Sequence, residues 1–271
     1  MVLLNVEFVF IINAMKIINL ISGPRNLSTA LMYSFAQRPD TKVVDEPFYA
    51  HYLLSTGISH PGRKETLETM SANINEILED VFSNTDCEIL FLKNMAHHHQ
   101  QMDFYFLDKM INLFLIRDPK QLIASYARVI KNPTMNDIGL KKSWELYNLI
   151  KKTNDSFPLV LDSVEILKNP ELLLKNLCDK LNIHFYDDML SWSEGGIKED
   201  GVWAEYWYKN AHRSTGFKKQ KTSSRELPLH CRELYFEALK YYKRRMRNYI
   251  IHGKISKEPT SYNAEKTSSL L

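Results

Sequence analysis

Five short apolar runs are spaced along the chain: KIINLIS (16–22), TKVVD (41–45), EILFLKN (88–94), NLFLIRD (112–118) and PLVLD (158–162). Each has strand length and is rich in Ile, Leu, Val or Phe, with little alternation of apolar and polar positions. That is the pattern of strands buried on both faces of a parallel sheet. Stretches of helical pattern separate them, over 28–37, 65–82, 103–110, 119–130, 140–152, 170–181 and 225–246. In 65–82, Leu67, Met70, Ile74, Ile77, Leu78 and Val81 fall near 3.6-residue spacing. Pro119 and Pro170 stand where a first helical residue would, Pro170 behind the cap-forming Asn169. Strand and helix in alternation predict a three-layer α/β fold with a central parallel sheet.

The 271 residues suit one domain over 16–251, followed by a polar tail, 252–271, expected to be disordered. The apolar start, 1–15, is interrupted by Glu7 and two asparagines, so no membrane span is expected there. It reads as an extra strand or an upstream extension, with Met15 as an alternative start. Cys87, Cys178 and Cys231 are odd in number and far apart, which points to a reducing, cytoplasmic setting rather than a disulfide framework. A net charge of +3 is too mild to imply a nucleic-acid partner. The oligomeric state is not legible.

The most informative stretch is IINLISGPRNLSTALMYSF (17–35). A strand runs into Gly23-Pro24-Arg25-Asn26-Leu27 and a helix begins at Ser28-Thr29. Unpaired N–H groups at a helix start, two hydroxyls and the guanidinium fork of Arg25 make a phosphate or sulfate site. The plainer alternative is that Ser28 caps the helix and Arg25 is solvated. The Gly-Lys-[Ser/Thr] ending of a nucleotide triphosphatase loop is absent. Without it there is no lysine for the β- and γ-phosphates and no hydroxyl for magnesium, which weighs against a kinase or triphosphatase. A second anion site is suggested by Arg117, at a strand end, and Ser125, eight residues on in the following helix. Separately, each has a plainer reading: Arg117 paired with Asp118, and Ser125 as an exposed helix serine.

As an ordered set these elements resemble the sulfotransferases that use 3′-phosphoadenylyl sulfate (PAPS) and release adenosine 3′,5′-bisphosphate. SGPRNLST resembles the family's loop for the 5′-phosphosulfate, and Arg117 with Ser125 its Arg-x7-Ser element for the 3′-phosphate. FLKNM (91–95) and LDSVEILKNPELLLKNLCDKLNI (161–183) match further segments. The motifs DEPFYAHYL, KxMAHH and HRSTGF are similar to those of a group of uncharacterised sulfotransferase-like proteins. The resemblance implies a P-loop-like sulfotransferase topology and sulfuryl transfer to a hydroxyl, or amine, of a small-molecule or other acceptor. A non-catalytic nucleotide-binding protein of the same fold is the third reading.

Sulfuryl transfer needs a base for the acceptor proton and cations around the leaving oxygen; no metal is expected where Arg and Lys supply the charge. The resemblance makes Glu46 the base, since tyrosylprotein-type members carry a glutamate at this distance from the loop. Cytosolic members instead carry a histidine two residues after the lysine, where this chain has Met95, leaving His97 or His98 after a short shift. The plainer reading of the three adjacent histidines is surface exposure, and a metal site is disfavoured because neighbours do not share a face. Lys93 would stabilise the leaving oxygen; otherwise it is a lysine whose stem lies along a strand end. Ser214, Thr215, Gly216 and Lys219 resemble the C-terminal segment that closes over the nucleotide, although its Arg-Lys-Gly is absent. The aromatic run GVWAEYWYKNAH (201–212) either walls the acceptor pocket or packs the core.

Overall fold

The structure is a computed structural model and describes residues 15–83, 86–153, 158–218 and 225–243. All five apolar runs are strands: β1 (Lys16–Ser22), β2 (Thr41–Asp45), β3 (Ile89–Met95), β4 (Ile111–Ile116) and β5 (Leu159–Asp162). Among the described residues they form one parallel sheet in the order β2-β3-β1-β4-β5. The helices are α1 (Ser28–Ala36), α2 (Tyr49–Thr56), α3 (Arg63–Thr69), α4 (Ile74–Ser83), α5 (Pro119–Tyr126) and α6 (Met135–Ile138). They continue with α7 (Leu140–Thr153), α8 (Ser163–Lys168), α9 (Pro170–Leu181), α10 (Ala204–Trp207), α11 (Lys209–His212) and α12 (Arg232–Lys243).

Burial on both faces explains the weak alternation in the strands. Ile17, Ile21, Leu90, Leu92, Phe114 and Ile116 face one core, which α4, α5, α7 and α12 complete. Ile18, Leu20, Phe91, Leu113 and Leu115 face the other, packed by α1 and α9. Proline and cap set the helix starts as expected. Asp118 accepts from the N–H groups of Lys120 and Gln121 with Pro119 at the first position, and Asn169 accepts from Leu172 N.

The neighbouring strands β1 and β4 send their helices to opposite faces, α1 to one and α5 to the other. The loops beyond their C-terminal ends therefore part and leave a crevice, the usual ligand position in an open α/β sheet. That topology places Arg25 and Arg117, 92 residues apart, within contact of each other.

Several helical expectations change: 103–110 forms only the 3-10 turn Tyr105–Lys109, and the helix from Pro119 ends at Tyr126 rather than 130. The pattern over 65–82 breaks into α3 and α4 because Ser71 Oγ accepts from Asn73 N and Asn73 Oδ1 accepts from Asn75 N, a local alternative to helical bonding. The last helix begins at Arg232 rather than 225, after Pro228. Residues 49–56, outside the expected helical stretches, form α2, whose Tyr49, Ala50, Tyr52 and Leu53 are buried. The expected extra strand in the N-terminal extension and the disordered tail at 252–271 lie outside the described residues, Met15 apart. Among the described residues no helix is long and apolar enough to cross a membrane, and the three cysteines are free thiols.

One buried charge ties α1 to β2 and to the segment after α9. Arg38 forms a two-pronged pair with Asp40 (3.0 and 2.9 Å) and donates to the His184 carbonyl at 2.6 Å. Its side chain is fully buried, whereas the Lys42–Asp86 pair on the same strand is open to solvent. Arg38→Ala leaves Asp40 and the carbonyl without their donor and is expected to lower unfolding free energy by about 3 kcal/mol. Lys42→Ala should cost under about 1 kcal/mol. Urea denaturation of the two variants checks the contrast, and equal effects would contradict it.

Candidate active site

A cavity of about 610 Å³ opens at the C-terminal ends of the strands. The loop after β1 forms its floor. Gly23 is required there, because a Cβ would lie 2.5 Å from the Ile138 carbonyl oxygen. Arg25 (φ 62°) and Leu27 (φ 69°) both take the left-handed conformation, uncommon for residues with a side chain and frequent where function holds the backbone. Asn26 fixes the loop to the sheet by donating to the Leu115 carbonyl. Leu27, not Ser28, is the cap residue of α1 and supplies no side-chain cap bond. The first turn of α1 is therefore left open to the cavity, which Pro24, Arg25, Leu27, Ser28, Thr29 and Ala30 line.

Arg117 and Ser125 converge on this loop. Arg117 donates to the Arg25 carbonyl at 2.6 Å, and Arg25 Nε donates to Ser125 Oγ at 3.3 Å. Ser125 also accepts from Arg225 at 3.3 Å. Burial lowers the proton affinity of Arg25 and Arg117, and the neighbouring arginines lower it further. Arg213 and Lys218 also line the cavity, against Glu46 as its one carboxylate among the described lining residues. Mutually repelling guanidiniums around a hydroxyl and an open helix start are suited to a polyanion.

Glu46 lies at the other end of the cavity, in left-handed backbone (φ 46°), with its N–H bonded to the Lys93 carbonyl at 2.7 Å. Lys93 differs from expectation. Its side chain is fully buried and does not line the cavity. Its ammonium donates to Asp45 Oδ1 at 3.0 Å, to Glu46 Oε1 and to the Tyr208 hydroxyl. Three contacts use all three N–H donors, so none is left for a leaving oxygen. Burial alone would lower its proton affinity, but Asp45 and Glu46 outweigh this and hold it charged. One ammonium does not neutralise two buried carboxylates, and burial together with Glu46 raises Asp45 to about 6 against the pull of Lys93.

Residues missed in the sequence complete this end. The Tyr208 hydroxyl lies 2.9 Å from both Asp45 oxygens and 3.2 Å from Glu46 Oε1, and accepts from Trp203 Nε1 at 3.2 Å. Opposite charges at the ends of two strands were the available signal for Asp45, which is in register with Lys93. Arg225 had no comparable signal.

The three histidines are buried rather than exposed at the surface, because the turn Ala96–His98 folds under α2. His98 stacks on Tyr49 (4.7 Å between ring centroids) and Tyr52 (4.8 Å), with Nδ1 3.7 Å from Glu46 Oε2. His97 and His98 line the cavity, whereas His99 packs against Phe48 and bonds the Met95 carbonyl. Within the run 201–212, Trp203, Trp207 and Tyr208 line the cavity, and Trp203 and Tyr208 are also buried. Ser214 and Gly216 line the cavity too. Gly216 pairs with Ser191, and a Cβ there would meet the Leu190 carbonyl at 2.7 Å. Thr215 instead accepts, through its carbonyl, the Trp192 N–H. Lys219 lies outside the described residues.

Burial is the main cause of a depressed proton affinity in all three histidines: His97 falls to about 3, His99 to about 4, and His98 well below its ordinary value. An unfolded chain takes up these protons near pH 6.5. Below that value it binds more protons than the folded protein, so stability falls as pH drops towards about 4. Asp45 works the other way, taking its proton first in the folded state as pH falls through about 6. With His60, which burial also lowers, four histidines stand against Asp45 and Asp162, which burial raises, and unfolding free energy should be about 3 kcal/mol lower near pH 5.5 than near pH 7.5. Urea denaturation at the two pH values reads this, and a flat or rising result would contradict the histidine burial.

Comparison with known proteins agrees with this architecture. The chain is 37% identical over 242 residues to branched-chain-amino-acid aminotransferase-like protein 1 of Arabidopsis thaliana, covering 88% of this chain and 43% of the relative. It is 33% identical over 230 residues to protein 2 of the same name, covering 84% and 41%. The chain thus spans less than half the length of the curated relatives it matches. In structure it is similar to the sulfotransferase domain of the Synechococcus PCC 7002 olefin synthase, with a TM-score of 0.56 and 15% identity over 84% of this chain and 94% of that one. That likeness bears on the fold alone. The family model described as a sulfotransferase domain matches residues 15–248, from the first strand to beyond α12, and the chain belongs to that family.

Proposed function

We propose that the protein transfers a sulfuryl group from PAPS to a hydroxyl, or amine, of an acceptor. The observation that carries this reading is the polarity of the cavity: Arg25, Arg117 and Arg225 around Ser125 at one end, and Glu46 beneath aromatic walls at the other. PAPS has two anionic ends, and the residues present fit both. Arg25, Ser28, Thr29 and the open start of α1 would hold the 5′-phosphosulfate, while Arg117, Ser125 and Arg225 would hold the 3′-phosphate. Ser214 and Gly216 line the same cavity and would close over the nucleotide.

PAPS supplies the activated sulfuryl group. As the acceptor oxygen bonds to sulfur, the bond from sulfur to the 5′-phosphate oxygen breaks and the acceptor's proton must leave. Glu46 Oε2 is placed to take that proton, with His98 Nδ1, held neutral by burial, 3.7 Å away and able to bond the same hydroxyl. The charge developing on the leaving phosphate falls to the guanidiniums and to α1. Lys93 serves this reaction through Glu46, since its donors are engaged below the cavity.

Calorimetric titration with adenosine 3′,5′-bisphosphate should show binding without magnesium. Arg117→Ala removes a charged contact and should weaken it by about 1.5–3 kcal/mol, roughly ten- to hundredfold. Binding of Mg·ATP but not of the bisphosphate would overturn the assignment. Glu46→Gln should bind the bisphosphate normally while losing turnover. Hydrolysis of PAPS, in which water replaces the acceptor, should fall about a hundredfold or more. Full activity would move the base to His97 or His98.

A further inference from the structure

We infer that Tyr208 and Asp45 are positioning residues for Glu46: with Lys93 they hold carboxylate oxygen Oε1, so that Oε2 alone is presented to the acceptor. The inference rests on the reading of Glu46 as the proton acceptor. Its geometric basis is the asymmetry of that carboxylate. Oε1 receives Lys93 and lies 3.2 Å from the Tyr208 hydroxyl, whereas Oε2 has the unpartnered His98 Nδ1 at 3.7 Å. A carboxylate fixed by one oxygen keeps the other in a single orientation, which a base needs when the proton must leave along one direction.

Tyr208 also joins the base to the acceptor wall. It sits between α10 and α11, in the segment carrying Trp203 and Trp207, and Trp203 donates to its hydroxyl. Gly201 N donates to Asp45 Oδ2 at 3.3 Å, and a Cβ on Gly201 would lie 2.2 Å from the Trp203 ring. The segment is anchored a second time on α1, where Asp200 Oδ2 accepts from Tyr33 at 2.5 Å and His212 Nε2 lies 3.0 Å from it. The aromatic wall, the helix of the phosphate loop and the Glu46 carboxylate are therefore joined by one set of hydrogen bonds. A tyrosine that merely filled the core would need a single acceptor. Tyr208 has one proton to give and two carboxylates within reach, so its donation couples Asp45 to Glu46.

The titratable and charged groups facing the two carboxylates are Lys93 from β3, His98 from the turn after it, Tyr49 from α2, His60 before α3, Tyr33 from α1, and Tyr208. Tyr208→Phe keeps the ring, and with it the contact of Lys93 over the ring face, and removes only the hydroxyl. Carboxyl carbon-13 NMR titration of the full chain, without nucleotide, reads Asp45. Loss of a donor that favours the ionised form should raise the Asp45 midpoint by about one pH unit. In PAPS hydrolysis the same variant should lose about tenfold or more in kcat, with KM for PAPS within about twofold. An unchanged Asp45 midpoint, or a KM effect without a kcat effect, would overturn the inference. Should Tyr208→Phe fail to fold, Asp45→Asn gives the second reading: in PAPS hydrolysis it should lose about tenfold or more in kcat with KM for PAPS within about twofold, and an unchanged kcat would overturn it. Absence of bisphosphate binding in the wild type would instead overturn the functional reading, while the Asp45 midpoint would still test the tether.

Discussion

The cavity depends on an ammonium that never reaches it. Lys93 is placed by strand register opposite Asp45 and is closed over by Tyr208, and its three donors are all engaged. Without partners a lysine at this depth would lose its proton. With them it stays charged and becomes the point on which β2, β3 and the aromatic segment after α9 meet. The backbone follows: Glu46 leaves the strand in a left-handed turn, pinned by the Lys93 carbonyl, and α2 starts at Tyr49, after Pro47 and the cap residue Phe48. A strained residue held at that position by an ion pair beneath it is what a preorganised side chain requires.

Charge is sorted along the cavity by topology. Because α1 and α5 leave neighbouring strands on opposite faces, the loop of β1 and the end of β4 are the only backbones, among the strand ends described, that flank the crevice at its arginine end. Arg25, Arg117 and Arg225 gather there, and the burial of Arg25 and Arg117 raises the cost of keeping them together without an anion. Glu46 sits across β3, its charge matched by Lys93 rather than by an arginine. The two ends can therefore hold opposite charge without neutralising each other. On the proposed reading, a donor rich in negative charge is drawn to one end and a proton-bearing acceptor to the other.

What the sequence shows and what it hides differ in physical kind. The five strands were legible because burial on both faces writes apolar residues at nearly every position, and a helix start after a Gly-Pro turn is a local signal. Arg117 and Ser125 were legible as a pair only through the resemblance, whose Arg-x7-Ser element runs from a strand end into the next helix. Tyr208 and Arg225 were not. Each meets its partners across about 100 residues or more of chain, and a tyrosine in an aromatic run looks like any core tyrosine. The histidines were misread because three polar residues in a row carry no hint that Tyr49, Tyr52 and Phe48 will cover them. The break in 65–82 was hidden for a subtler reason: apolar spacing continued through Ser71 and Asn73, while their side chains supplied competing bonds.

Removing Lys93 from the leaving group alters the electrostatic account of the site. A lysine is a point charge, and its placement decides which oxygen it serves; here it serves two carboxylates. On the proposed reading, the leaving phosphate is then left to guanidiniums and backbone N–H groups. Both are more rigid than an alkylammonium, and a guanidinium matches two phosphate oxygens at once. The α1 start adds donors that lose no side-chain entropy when the anion arrives. On this reasoning the loop's lack of a terminal lysine is no defect. Arg25, held in left-handed backbone with its Nε on Ser125 and its carbonyl on Arg117, supplies charge already fixed in direction. A long flexible side chain would have to be ordered in the reaction itself.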